Sequence, residues 1–392
     1  MSNNIIEKEN RSIFQTYKRL PIVVDYAKGC NIYAKDGKKY LDFLAGIAVN
    51  VLGHGHPKIL KAIAKQSAKY MHLSNYFYQD IQIKLSVKLK HYSGFDRVFF
   101  TNSGTEATEA AIKLTRRWGS KNGKSTIIGF TGGFHGRSYG ALSLMDKPVY
   151  KAGMGPFLPD TKIIEYNNIK ALEENIDERT AGVFLEFLQG EGGIVAAKQE
   201  FVEKIVELKQ KYGFLIIADE VQTCSGRTGK YLCFMYYDVK PDVVTLAKGI
   251  GGGLPLGCML AREYLADVWE KGMHGTTFGG NAVACACGLV VLNEIGNGLI
   301  EEVVKIGDYL NSGLEAIKNK YPDKVLEVRG LGLMKGLLLS FEASDLVAKL
   351  LEKGIISNAT AGRVLRIVPP LIIRRKDVNK FILGLDNCLA EM

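Results

Sequence analysis

Between about residue 95 and residue 262 the chain alternates short apolar segments with amphipathic ones, and this alternation constrains the fold more than any other feature. Apolar segments such as FLIIA, VVTLA and LGCMLA are uninterrupted, whereas KQEFVEKIVELKQKYG has helical spacing. Strands that are apolar on both faces are typical of parallel sheets covered by helices on both sides. We therefore predict an α/β domain with a mostly parallel sheet, whose ligands bind beyond the carboxyl ends of the strands.

The two ends of the chain have a different pattern. GCNIYAKDGKKYLDF predicts a hairpin with Asp36-Gly37 at its turn. After about Leu289 we expect a long amphipathic helix, strands around VLEVRGLGLMKGLLLSF and a basic C-terminal helix. These segments predict a smaller α+β domain built from both termini, residues 1–58 and 289–392, beside a large domain over residues 59–288.

Composition and charge exclude several classes of protein. With 47% apolar residues among 392, the chain can bury a large core. Its formal net charge of +10 comes from dispersed Lys and Arg without interleaved aromatic residues, so we expect no nucleic-acid partner. No uncharged apolar segment reaches about 18 residues, and the first residues, MSNNIIEKENRSIF, are polar. We expect a cytoplasmic protein with no membrane partner.

The metal-ligating residue types are not clustered in the sequence. The seven cysteines are scattered and never form C-x-x-C, which favours reduced, buried thiols. GHGHP contains the pair His54 and His56, but no nearby Cys or carboxylate completes a ligand set. We predict a structural role for these histidines and no bound metal.

Three glycine-rich segments resemble nucleotide-binding motifs without matching them. GIGGGL and GLGLMK fail the G-x-G-x-x-G pattern because Leu254 and Lys335 occupy the third glycine position. GSKNGKS is one residue short of a P-loop and precedes a strand instead of following one. A nicotinamide enzyme and a nucleoside triphosphatase are both disfavoured.

Polar residues follow the buried strands at three places. In FFTNSGTEATEAAIK a strand ends at Thr101, and Ser103, Gly104 and Thr105 open a helix. The N–H groups and the dipole of such a helix end form a cradle for a phosphate, although an ordinary N-cap is the simpler interpretation.

The other two polar residues are Asp219, after FLIIA, and Lys248, after VVTLA. An ion pair between them would offset the cost of burying each, but it explains neither the phosphate cradle nor the glycines after Lys248. Pyridoxal phosphate explains all of these features, because it has a phosphate, a ring nitrogen that pairs with a carboxylate and an aldehyde that condenses with a lysine amine. We predict that it is the cofactor.

The whole chain resembles the class III pyridoxal-phosphate-dependent aminotransferases, most of all those that act on acetylornithine. The motifs occur in order: YLDFLAGIAVNVLGHGHP, TNSGTEATEAAIK, GFHGRS, QGEGG, ADEVQTCSGRTGK, PDVVTLAKGIGGGLPLG, HGTTFGGN, RGLGLMKG and LRIVPPLII. The resemblance implies the type I fold of these transferases, with a seven-stranded sheet. It also implies a homodimer with shared active sites.

The resemblance assigns a role to individual residues. Lys248 matches the lysine that bonds to the cofactor, and Asp219 matches the partner of the ring nitrogen. The other positions that match cofactor-binding residues are Ser103, Gly104, Thr105, Phe134, Val221, Gln222 and, from the other subunit, Thr277. The positions that match substrate-binding residues are Arg137 for the α-carboxylate, Thr276, and the pair Glu191 and Arg366, which opens for 2-oxoglutarate.

The implied reaction moves the terminal amine of N-acetylornithine to 2-oxoglutarate. Ornithine, succinylornithine, succinyldiaminopimelate and 4-aminobutyrate aminotransferases share the cofactor residues, but Arg137 argues against 4-aminobutyrate, which lacks an α-carboxylate. A glutamate-semialdehyde aminomutase and a non-catalytic cofactor-binding paralogue are further alternatives. Three departures from the family pattern, at Cys224, Phe187-Leu188 and Ala282, bear on substrate preference.

Overall fold

The computed structural model describes residues 2–392, which form seventeen strands and thirteen α-helices. The strands are β1 (Val24–Lys28), β2 (Asn31–Ala34), β3 (Lys39–Asp42), β4 (Arg97–Thr101), β5 (Thr126–Phe130), β6 (Thr161–Ile164), β7 (Thr180–Leu185), β8 (Leu188–Gln189), β9 (Val195–Ala196), β10 (Leu215–Asp219), β11 (Val243–Leu246), β12 (Gly257–Ala261), β13 (Val325–Leu331), β14 (Met334–Leu339), β15 (Ile355–Ile356), β16 (Asn358–Thr360) and β17 (Val364–Ile367). The helices are α1 (Ser2–Ser12), α2 (Ala45–Ala48), α3 (Pro57–Ser67), α4 (Asp80–Ser93), α5 (Gly104–Lys121), α6 (Tyr139–Ser143), α7 (Pro148–Lys151), α8 (Ile169–Asn175), α9 (Gln199–Tyr212), α10 (Ala282–Glu294), α11 (Ile300–Lys320), α12 (Ala343–Glu352) and α13 (Arg375–Ala390).

The central sheet has seven strands in the order β4-β12-β11-β10-β7-β5-β6. From β11 to β6 every neighbouring pair is parallel, whereas β12 runs antiparallel to both β11 and β4. The prediction of a mostly parallel α/β sheet is therefore confirmed. The segment LGCMLA supplies the exception, because an uninterrupted apolar run contains no signal for strand direction.

Both faces of this sheet are buried, which is why its strands lack polar alternation. In β10, Leu215 and Ile217 pack in a core with α5, while Ile216 and Ala218 belong to the larger core on the opposite face. Successive side chains of a strand point to opposite faces, so both sets must be apolar when helices cover both faces.

Two further sheets lie outside the central one, and the first of them joins strands from both ends of the chain. The first has the order β1-β2-β3-β15, with the C-terminal strand β15 parallel to β3, and the second has the order β13-β14-β17-β16. The predicted hairpin joins β2 to β3, where Asp36 Oδ1 accepts the Lys38 N–H at 3.1 Å and Gly37 has φ +83°. The smaller α+β part built from both termini is confirmed, while the boundaries after residues 58 and 288 stay predictions.

One helical stretch within residues 2–392 is long and apolar enough to suit a membrane span by composition. It runs from Ala282 to Lys320, and half of its most apolar window is buried within the protein. A π-helical turn, Ile295–Leu299, joins its two parts, α10 and α11. Helix α10 packs against α3 and α4, as a core helix does.

Candidate active site

A cavity of about 460 Å³ opens at the edge of the central sheet where β4, β10 and β11 end. Its lining combines the turn before α5, the loop that follows β5, the end of β10 and the segment after β11. The structure brings eight of the predicted site residues together there: Ser103, Gly104, Thr105, Phe134, Arg137, Asp219, Val221 and Lys248. Five other predicted site residues lie outside the lining: Glu191, Gln222, Thr276, Thr277 and Arg366.

The turn between β4 and α5 is tightly packed. Ser103 is the N-cap of α5, and its Oγ accepts the Glu106 N–H at 3.3 Å. A Cβ on Gly104 would lie 2.7 Å from Val221 Cγ1, and one on Gly257 would lie 2.5 Å from the Ser103 carbonyl oxygen. Glycine is required at both positions because the turn passes this close to β12 and to Val221. The N-cap interpretation and the anion-cradle interpretation are compatible, since the capped helix end also lines the cavity.

Asp219 pairs with a histidine. Its Oδ2 lies 2.7 Å from His135 Nδ1, and its Oδ1 accepts the Val221 N–H at 3.0 Å. Both side chains of the His135–Asp219 pair are buried. Burial opposes protonation of His135, but the hydrogen bond and the charge of Asp219 outweigh it and raise the pKa of the imidazole. The ion pair of Asp219 with Lys248 that the sequence left open does not form.

A second buried carboxylate, Glu186, lies beside this pair. Its Oε2 accepts the Phe134 N–H at 2.8 Å and its Oε1 accepts the Gly190 N–H at 3.4 Å. Burial raises the pKa of Glu186 to about 7, and the charge of His135 acts against that increase. Sequence reasoning assigned no role to His135 or Glu186, although His135 follows Phe134 within the quoted motif GFHGRS.

Lys248 has an uncommon backbone conformation. Its φ is +45°, in the left-handed region that non-glycine residues rarely adopt, and such strain clusters at functional sites. Among residues 2–392 its ammonium group has no hydrogen-bond or ion-pair partner. Burial lowers the pKa of the amine, and the nearby Arg366 lowers it further. An amine that loses its proton easily is suited to act as a nucleophile.

The buried Arg366 forms an ion pair with the half-buried Glu191 beside the cavity. Arg366 is 1% exposed, and its Nε donates to Asn358 Oδ1 at 3.1 Å. Its Nη1 also donates to Gln222 Oε1 at 3.4 Å, so Gln222 connects the ion pair to Val221 in the lining. Burial disfavours the charge of Glu191, but Arg366 outweighs this effect and lowers the pKa of the carboxyl group.

The two threonines of HGTTFGGN are not brought to this cavity. Thr276 Oγ1 accepts the side-chain N–H of Asn102 at 3.2 Å, whereas Thr277 is exposed. The three departures from the family pattern also lie outside the lining that residues 2–392 form. Cys224 and Phe187 are buried in the large core, and Ala282 begins α10 behind the N-cap Asn281.

The cavity residues fit pyridoxal phosphate. The N-terminus of α5 offers N–H groups to a phosphate, the buried Asp219 offers a carboxylate to a ring nitrogen, and the unpaired Lys248 amine is available to an aldehyde. The volume also lies in the range of about 300–1,000 Å³ that is usual for ligand sites.

Comparison with known proteins gives the same assignment. The acetylornithine aminotransferase of Methanocaldococcus jannaschii is 44% identical over 99% of this chain and 98% of its own. The acetylornithine aminotransferase of Aquifex aeolicus is 43% identical over 94% of this chain and 97% of its own. Among solved structures, the ornithine aminotransferase from Toxoplasma gondii, described with partial occupancy of PLP at its active site, has a TM-score of 0.95 at 30% identity and covers 100% of this chain and 94% of that one. The acetylornithine aminotransferase from Elizabethkingia anophelis has a TM-score of 0.87 at 32% identity, covering 100% and 99%. The family model for class III aminotransferases matches residues 13–389, and the chain therefore belongs to that family.

Proposed function

We propose that this protein is a pyridoxal-phosphate-dependent transaminase of arginine biosynthesis. It moves the terminal amino group of N2-acetyl-L-ornithine to 2-oxoglutarate and yields N-acetyl-L-glutamate 5-semialdehyde and L-glutamate. The observation that carries the proposal is the strained, unpaired Lys248 amine in a cavity that also contains Asp219 and the N-terminus of α5. Relatives 38–44% identical over nearly the whole chain are named acetylornithine aminotransferases, which supports the choice of substrate.

The protein groups position the reaction and move its proton. When bound, pyridoxal phosphate supplies an electron sink for the carbon next to the amine. Lys248 Nζ, whose pKa is lowered, removes the proton from the carbon that bears the donated amine. His135 and the Val221 N–H hold both oxygens of Asp219 in place, and this carboxylate would pair with the ring nitrogen of the cofactor. Phe134 and Val221 line the cavity and would offer apolar surface to the cofactor ring.

The substrate side contains two arginines in different states. Arg137 is exposed at the cavity, where it is available to the α-carboxylate of the donor. Arg366 is paired with Glu191, so its charge is balanced when the amino donor places an uncharged methylene chain beside it. When Glu191 moves away, Arg366 becomes available to a carboxylate of 2-oxoglutarate. A bidentate guanidinium matches that planar group.

We also propose a homodimer in which Thr277 contacts the cofactor phosphate of the other subunit. Tyr76, Phe77 and Tyr78 are highly exposed, as is Phe278 beside Thr277. Asn75 Nδ2 donates to the Thr276 carbonyl at 3.2 Å, so these aromatic residues and the threonine loop form one continuous surface. An exposed apolar patch of this kind is typical of an interface.

The proposed location is the cytoplasm, and the proposed cofactor-binding domain comprises residues 59–288. All seven cysteines are free and buried, as is typical of proteins in a reducing compartment.

The test is a panel of amino donors assayed with 2-oxoglutarate. We expect the highest kcat/KM for N-acetylornithine, above succinylornithine, ornithine, succinyldiaminopimelate and 4-aminobutyrate. Activity without 2-oxoglutarate would indicate an aminomutase. A visible cofactor spectrum that no donor changes would indicate a non-catalytic paralogue.

A further inference from the structure

Arg137 is held in place by an aromatic ring. Its guanidinium carbon lies 3.5 Å from the centroid of the Tyr150 ring and 5.7 Å from that of the Phe134 ring. The two rings are nearly perpendicular, at 85°, with centroids 6.1 Å apart. Tyr150 belongs to the short helix α7, which is separated by α6 from the loop that carries Phe134 and Arg137. The guanidinium therefore lies against the face of one ring and near a second.

This support leaves the hydrogen-bonding groups of Arg137 free. Within residues 2–392, no carboxylate lies within ion-pair distance of Arg137, and its side chain makes no hydrogen bond. An aromatic face attracts a cation without accepting its N–H groups in the plane. The contact therefore positions the guanidinium while all five donors remain available to a ligand. A supporting Asp or Glu would compete with the carboxylate of the substrate.

We infer that Tyr150 is a specificity-determining positioning residue, which orients Arg137 toward the carboxylate of the amino donor through its ring face. The phenolic hydroxyl is not required, because it makes no hydrogen bond among residues 2–392. Tyr150 also lies outside the cavity lining, so it acts through Arg137. The inference rests on the proposed function in one respect: Arg137 receives the α-carboxylate of the donor.

This role predicts an effect on one class of ligand only. Donors with an α-carboxylate lose affinity when the ring face is removed, whereas donors without it do not. N-acetyl-L-ornithine and N-acetylputrescine form a matched pair, because they share the acetamide and the terminal amine and differ in the carboxylate. N-acetyl-L-norvaline and N-butylacetamide form the corresponding pair of inhibitors without a transferable amine.

The experiment compares Tyr150→Leu, Tyr150→Phe and the wild-type holoenzyme. In Tyr150→Leu we expect the KM for N-acetylornithine and the inhibition constant of N-acetylnorvaline to rise about tenfold, as loss of a partly desolvated cation–π contact predicts. We expect kcat to change less than about twofold, since the lost interaction is made equally with the ground state and the transition state. The KM for N-acetylputrescine and the inhibition constant of N-butylacetamide should stay unchanged in Tyr150→Leu. Tyr150→Phe should have the wild-type constants for all four ligands.

Phe157→Leu is the control for the loop. Lys151 Nζ lies 4.6 Å from the Phe157 ring, so this variant removes a similar contact from the same segment but away from the cavity. We expect no change with either ligand pair. If Tyr150→Leu lowers the melting temperature, Tyr150→Met repeats the test with a side chain that fills irregular space.

Three results would overturn the inference: equal losses for ligands with and without the carboxylate, an unchanged KM in Tyr150→Leu, or an impaired Tyr150→Phe. Failure of the proposed substrate is a separate result. If the wild-type enzyme prefers ornithine, then ornithine and putrescine replace the first pair and the same comparison applies.

Discussion

The position of Lys248 destabilises the fold locally and is chemically useful. A non-glycine residue in the left-handed region costs about 1–3 kcal/mol, and a half-buried amine without a partner adds a desolvation cost. The positive φ directs the Lys248 side chain from the end of β11 into the cavity. Burial lowers the pKa of the amine. Both costs are consistent with selection for reactivity at this residue.

Lys248→Ala should abolish turnover but retain part of the cofactor affinity, because the N-terminus of α5, Phe134 and Asp219 remain. The measurement is kcat together with the amount of cofactor that survives dialysis. The variant should also melt at a higher temperature than wild type when both are compared without cofactor. Full activity in this variant would refute the assignment of Lys248.

Asp219→Asn should preserve the shape of the site and remove the negative charge that we propose pairs with the ring nitrogen. We expect kcat to fall about a hundredfold or more, the size of effect seen when one preorganised electrostatic group is lost. Asp242→Asn is the matched control, because Asp242 is also buried but bonds to Lys209, Ile216 and Tyr264 away from the cavity. It should reduce stability with little effect on kcat. A rate in Asp219→Asn within a few-fold of wild type would make this carboxylate structural.

The loop of residues 190–194, between β8 and β9, contacts the sheet formed by β13, β14, β17 and β16. Glu191 pairs with Arg366 of β17, and its carbonyl accepts the Thr360 hydroxyl of β16 at 2.8 Å. Glu191→Ala leaves Arg366 without its counter-ion. The free Arg366 side chain should then bind the α-carboxylate of a substrate such as glutamate. We expect the ratio of kcat/KM for N-acetylornithine to that for glutamate to fall at least about tenfold, since the buried Arg366 loses its ion-pair partner.

Glu191→Gln is the conservative comparison, and its ratio should lie between those of wild type and Glu191→Ala. An unchanged ratio in both variants would show that the pair does not select between the two substrates.

The sequence predicts the elements that local patterns specify. Strands β10 and β11, helix α5 and the β2–β3 hairpin follow from apolar runs, a capped helix start and Asp36-Gly37. The direction of β12 was not predictable, because LGCMLA is equally apolar in either direction. The pairing of His135 with Asp219 joins residues 84 positions apart, and the contact of Tyr150 with Arg137 joins residues on either side of α6. Such contacts depend on the tertiary fold, which residue spacing does not encode.

Buried carboxyl groups make the free energy of unfolding of the protein depend on pH. Burial raises the pKa of Glu220 from 4.5 to about 7, although its oxygens accept the N–H groups of Cys233 and Phe234 at 2.8 and 2.7 Å. Between these two pKa values the folded protein holds a proton that the unfolded chain has lost. This contribution to the free energy of unfolding is complete below about pH 4.5 and is lost as the pH rises to about 7.

Glu220→Gln lacks this titration, so the difference between the two proteins isolates it from other titrating groups. We expect the melting temperature of the variant, relative to wild type, to increase as the pH is raised from about 5 to about 8. A difference that is constant over this range would contradict the raised pKa.

The active site as a whole needs a second subunit if Thr277 contacts the phosphate across the interface. In one chain Thr277 is exposed and lies outside the cavity lining, so we do not expect it to reach a phosphate bound in the cavity of its own chain. A two-fold axis would make the contact reciprocal, and cofactor binding would then stabilise the dimer.

Mixing Lys248→Ala subunits with Thr277→Trp subunits should therefore restore activity. One site of each mixed dimer combines the intact Lys248 of one chain with the intact Thr277 of the other, while the second site lacks both. With statistical exchange, half of the dimers are mixed and contain one working site of two, so about a quarter of wild-type activity should return. Mass spectrometry of the intact dimers verifies the exchange, and each variant alone provides the background rate. If exchange is complete and no activity returns, or if dilute monomers are fully active, the site is not shared and Thr277 acts within its own chain.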